Sequence, residues 1–98
     1  MRMMARVQVD TATGSAALKS GALAETIGKF MEQAKPESAY FTLDQGDRCA
    51  FFVFDMKESS AMPALLEDAF HRLNAKIDLR PVMNLDELRT GLAAMPQR

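Results

Sequence analysis

Two arginines occupy positions where a cation needs a partner. Arg6 lies in the alternating run "MMARVQVD" and Arg80 in "AKIDLRPVM", and both runs carry the period-2 pattern of a strand. A guanidinium held on a sheet grips a carboxylate through two parallel N–H bonds. Gln8, Tyr40 and Thr42 fall on the same predicted face and can orient a ligand by hydrogen bonding, while Phe51 can cover its apolar part. Arg6, Gln8, Tyr40, Thr42, Phe51 and Arg80 are therefore the candidate ligand-binding residues, suited to a small organic molecule, anionic ones included. The plainer expectation is that Arg6 and Arg80 pair with Asp78, Asp10 or carboxylates across a subunit interface, because partly buried charges are normally paired.

The remaining reactive side chains offer less. His71 is the only histidine and stands one helical turn after Glu67, a spacing that lets the two pair on a surface. Cys49 is the only cysteine and is expected to be a small buried hydrophobe. One histidine with scattered carboxylates does not make a metal site, so neither a metal nor a cofactor is expected. "TATGSAALKSG" lacks the spacing of a phosphate-binding loop. No catalytic residue is assigned.

Composition narrows the classes. The chain has 98 residues, a net charge of -1 and 48% hydrophobic residues, as expected for a single domain spanning 1–98. The slightly acidic balance provides no general attraction to nucleic acid or anionic membrane. The aromatic run "DRCAFFVF" places Cys49 where an RNA-binding strand needs its first stacking aromatic and Asp47 where it needs a cation. No apolar stretch approaches the roughly 18 residues of a membrane span. The N-terminus lacks the apolar stretch of a signal peptide. A cytoplasmic protein without nucleic-acid or membrane partners is expected.

The elements that must position these residues follow from their periodicity. "MMARVQVD" is a strand, and Thr11 and Thr13 are candidate helix caps. Ala16 to Ala34 reads as helix, broken at Ser20-Gly21, with Leu23, Ile27, Phe30, Met31 and Ala34 as its stripe. Lys35-Pro36 closes it. "SAYFTLD" and "RCAFFVFDM" flank the turn "DQGD" and predict a hairpin. A second helix starts around Ser59-Ser60 and Pro63, with Leu65, Leu66, Ala69, Phe70 and Leu73 as its stripe. The fourth strand, "AKIDLRPVM", carries Pro81, which an edge tolerates. A short closing helix has Asn84 and Glu87 as a variant capping box and Leu85, Leu88, Leu92 and Met95 as its apolar face.

The order β-α-β-β-α-β, then α, is the ferredoxin-like pattern. Right-handed crossovers place the first and third strands at the centre of a four-stranded antiparallel sheet. With a two- or four-residue turn, Ala39, Phe41 and Leu43 share a face with Ala50, Phe52 and Phe54, joined by Val7, Val9, Ile77 and Leu79 towards the helices. A three-residue turn would exchange the third strand's two sets. The opposite face is apolar at its centre and charged around it, as interaction surfaces are.

The strand "MARVQVD", the hairpin "AYFTLDQGDRCAFFVFDM", the strand "KIDLRPVMN" and the closing helix "LDELRTGL" together resemble the dimeric α+β barrel superfamily. The resemblance is architectural and spans almost the whole chain. It implies a homodimer of face-to-face sheets, with a small-molecule cleft between sheet and helices or inside the barrel. The functional expectation is a small-molecule-binding or accessory protein acting as a homodimer through the face opposite the helices. The alternative is a cofactor-independent enzyme, monooxygenase- or isomerase-like, on a small organic substrate.

Overall fold

The computed structural model describes residues 1–96. The expected domain over 1–98 includes positions 97 and 98, which lie outside the described residues. The elements are β1 (Arg2–Val9), α1 (Thr11–Ser20), α2 (Ala22–Ala34), β2 (Ser38–Asp44), β3 (Asp47–Asp55), α3 (Met62–Leu73), β4 (Lys76–Pro81) and α4 (Leu85–Ala93). A short 3-10 turn at Ser59–Ala61 leads into α3, where Pro63 sits in the first turn. A proline costs nothing there because that N–H has no intrahelical acceptor.

All four strands form one antiparallel sheet in the order β2-β3-β1-β4. This is the ferredoxin-like α+β arrangement, with β1 and β3 central. Pro81 ends an edge strand, where its missing N–H breaks no ladder. The hairpin turn has two residues, because Asp44 pairs directly with Asp47. Gln45 and Gly46 both have positive φ, 54° and 80°, the geometry whose twist matches that of the strands it joins. That turn sets the register, and the register sets the faces. Ala39, Phe41 and Leu43 lie with Arg48, Ala50, Phe52 and Phe54 on the helix side, as the odd-sum pairing predicts.

Two core clusters fill the space between the sheet and its helices. Met3, Ala5, Ala50, Phe52, Phe54 and Met56 form one, against Phe30 and Leu65. Val9, Ala17, Leu73 and Ala75 form the other, against Leu23 and Ile77. Phe30 stacks obliquely on Phe52 with centroids 4.7 Å apart and meets Phe54 edge-on at 5.5 Å.

Several local expectations are corrected. The first helix begins at Thr11, not Ala16, because Asp10 is the cap. Its carboxylate accepts from the Thr13 N–H at 2.9 Å, while Thr11 and Thr13 already lie inside the first turn. The expected break is present: Gly21, with φ 89°, separates α1 from α2 in a left-handed conformation that suits glycine. The expected closure at Lys35-Pro36 is present too, with Lys35 capping α2 in the left-handed region. Phe70 stays exposed although the periodicity places it on the buried stripe.

The closing helix holds the largest surprise. Its capping box between Asn84 and Glu87 is formed, yet no α4 residue is buried and Leu85, Leu88, Leu92 and Met95 all remain exposed. An eight-residue strand spans about 26 Å, so the 58 Å long axis of the chain includes this helix projecting beyond the sheet. An ion pair from Arg2 to Glu87 holds its first turn.

Candidate functional site

The sheet presents two different surfaces. The open face carries every residue of the candidate set: Arg6 opposes Phe51 and Asp78, Phe51 opposes Tyr40, Gln8 opposes Cys49, and Arg80 lies one rung beyond Asp78. The set is thus brought together as expected. Its polar groups are largely engaged within the chain. Arg6 pairs with Asp44 and donates to Gln8 Oε1 at 3.0 Å. Gln8 donates to Asp47 at 3.0 Å, and Arg80 pairs with Asp78. The expected partner Asp78 therefore serves Arg80, whereas Asp44, not Asp10, serves Arg6. Asp10 is committed to capping α1, and the bond from Thr13 holds its carboxyl below the usual range.

Apolar side chains occupy the middle of this face. Met4, Phe51 and Val53 are half-buried, Cys49 is buried, and Tyr40 is 69% exposed. His71 lies elsewhere, exposed on α3 with its Nε2 at 3.0 Å from Glu67. Among the described residues no cluster of three or more His, Cys, Asp or Glu stands close enough to hold a metal, and no helix is long and apolar enough to cross a membrane.

Two predominantly apolar clefts lie on the helix side. The roomier, about 190 Å³, is lined by Val7, Val9, Leu23, Ile27, Ala50, Phe52 and Leu73, with Phe41, Thr42, Arg48 and Cys49 at its sides. It opens because the helices do not cover β2, leaving Phe41 and Leu43 59% and 71% exposed on the helix side. A smaller recess of about 40 Å³ shares Val7, Ile27, Phe52 and Leu73 and runs between α2 and α3. Polar groups here are few. Lys29 and Asp68 pair at 2.9 Å, and the Lys29 hydrogen bond holds the Asp68 carboxyl below the usual range. Thr26, only 5% exposed, lines the recess, and its buried hydroxyl has no hydrogen-bond partner among the described residues. A buried hydroxyl of this kind normally finds an acceptor.

Arg48 and Thr26 are absent from the sequence-based set. Arg48 had a readable signal, because the alternation Arg48, Ala50, Phe52, Phe54 places a cation on an apolar, helix-facing row. Thr26 had none, since a threonine one position from the stripe of α2 looks like any boundary residue.

No family model and no curated relative matches the chain. Among solved structures, a Deinococcus radiodurans protein provisionally assigned as an antibiotic biosynthesis monooxygenase aligns with a TM-score of 0.44 and 14% identity, covering 86% of this chain and 94% of its own. The ferredoxin-like assignment itself stands on strand order and register.

Proposed function

We propose that this chain binds a small, largely apolar molecule in the cavity between sheet and helices, and that it acts as a homodimer through the open sheet face. The cavity is the observation that carries the binding role. Eight apolar side chains from β1, β2, β3, α2 and α3 line an open cleft of about 190 Å³. Ligand sites are typically apolar clefts with a few polar groups that fix orientation, and Arg48 supplies one at the side of this cleft.

The homodimer is supported by the half-buried Met4, Phe51 and Val53 at the centre of a charged surround. A two-fold interface pairs one patch with itself, and a centre of apolar residues within a polar rim suits that arrangement. On this reading Arg6, Gln8, Tyr40, Thr42, Phe51 and Arg80 belong to the subunit contact, their charges already balanced within each chain.

Titration calorimetry with octan-1-ol as a neutral apolar probe tests the binding role. Saturable one-per-chain binding is expected, lost in Ile27→Phe, which places a larger side chain in the cavity while the fold is kept by circular dichroism. Absence of saturation with the unsubstituted chain would refute the cavity as a binding site. Light scattering across a dilution series tests the assembly, where a persistent monomer would refute the dimer.

A further inference from the structure

Arg48 is set apart from every other described arginine. Arg2, Arg6, Arg72, Arg80 and Arg89 each face a carboxylate. Arg48 faces none among the described residues. Its only side-chain hydrogen bond among the described residues is a long one, from Nη2 to Ser15 Oγ at 3.4 Å. Yet it is half-buried and lines the apolar cavity, where its strand neighbours across the sheet are Val9 and Leu43. A guanidinium held against apolar surface without a counter-charge keeps most of its donors unused, and it is more weakly hydrated than an ammonium.

The surroundings make room for this side chain. Gly14 lies buried in the second turn of α1, and a Cβ there would come within 2.7 Å of Arg48 Nη1 and 3.4 Å of its Cδ. Glycine in a helix interior is less favourable than alanine. Here it lets the arginine lie flat against α1 with its head at the cavity. Asp47, the adjacent carboxylate in sequence, is on the opposite face and accepts from Gln8 and Thr11. At this end of the sheet the open-face Arg6 is thus paired with Asp44, while the cavity keeps a guanidinium that faces no carboxylate among the described residues.

Building on the cavity as the ligand site, we infer that the ligand is an amphiphile with a single anionic head, a carboxylate by preference, held by Arg48 at the cavity side while its apolar body lies against Val7, Ile27, Phe52 and Leu73. One guanidinium matches one negative charge, and its two parallel N–H donors match the two oxygens of a carboxylate. Ser15 adds a hydroxyl beside the head.

Octanoate, octan-1-ol and octylamine share one apolar body and differ in head charge. Calorimetry at neutral pH with these three probes tests the assignment. Octanoate is expected to bind about tenfold tighter than octan-1-ol, a modest effect because the arginine is only half-buried, and octylamine weaker than both. Arg48→Gln is expected to remove the octanoate advantage and leave octan-1-ol within about twofold. Arg48→Lys should restore part of it, since an ammonium attracts the anion without the paired geometry. Gly14→Ala keeps the charge but displaces the guanidinium, and is expected to weaken octanoate alone. If octan-1-ol binds and octanoate is no tighter, or if Arg48→Gln weakens both equally, the anion-anchoring role is overturned while the apolar site stands. If octan-1-ol itself does not bind, the failure lies with the cavity.

Discussion

The two faces of this sheet are built from the same four strands and treat their charges in opposite ways. On the open face Arg6, Gln8, Asp44 and Asp47 form a connected network, with Arg80 and Asp78 paired nearby. On the helix side the rows are apolar apart from Arg48, and that guanidinium has no counter-charge among the described residues. A face whose arginines are already paired within the chain suits contact with a second copy of itself, because those two guanidinium groups need no counter-charge from the partner. A face with an apolar space and one unbalanced cation suits a ligand that brings the missing charge. Which surface is more charged is thus a poorer guide than which charge lacks a partner.

The largest expected contrast between the faces is in stability. Phe52, 4% exposed and packed on Phe30 and Phe41, is expected to cost about 3–5 kcal/mol when replaced by alanine, read from urea denaturation at a fixed chain concentration. Phe51→Ala, on the neighbouring residue but the other face, should cost the isolated chain much less. It should instead weaken the dimer by about thirtyfold or more, the range for an interfacial aromatic anchor, read from sedimentation over a dilution series. Equal losses of chain stability from the two alanine variants would erase the distinction.

A smaller effect concerns acid. Asp10, Asp55 and Asp68 have carboxyls held below the usual range, chiefly by bonds from the Thr13 N–H, the N-terminal amine and Lys29 respectively. A lowered folded-state pKa adds stability above the unfolded value of about 3.9. That contribution is lost as pH falls through the lower folded value. The melting temperature is therefore expected to be flat around neutrality and to fall below about pH 4. Asp10→Asn is expected to keep the cap bond and flatten part of that fall, whereas Asp10→Ala should lower the melting temperature by a few degrees at every pH.

Much of this architecture was legible in the residues. Alternation in "MMARVQVD" and "SAYFTLD", the turn chemistry of "DQGD" and Pro81 at an edge pointed to the strand order, whereas the two faces rested on a turn length that the residues left open and that the Asp44–Asp47 pairing fixes at two. The open-face set was found because its members are polar residues on strands, a pattern visible without coordinates. What pairing could not reveal is which charges are already satisfied. Asp44 reaches Arg6 across 38 positions, and only the folded sheet shows that it leaves Arg48 alone. The cavity was equally hidden, since it depends on how far the helices stop short of β2. The apolar stripe of α4 was read correctly as a stripe, but a period says which residues share a face and nothing about what, if anything, covers them.

Methyl chemical-shift mapping of a titration with octanoate tests the division of labour most directly, because methyl groups line both faces. The account predicts that Val7, Val9, Leu23, Ile27 and Leu73 move together with one saturating isotherm, while Met4 and Val53 on the open face stay where they were. Movement of Met4 and Val53 with the cavity methyls unchanged would place the ligand on the open sheet and contradict the assignment of the two faces.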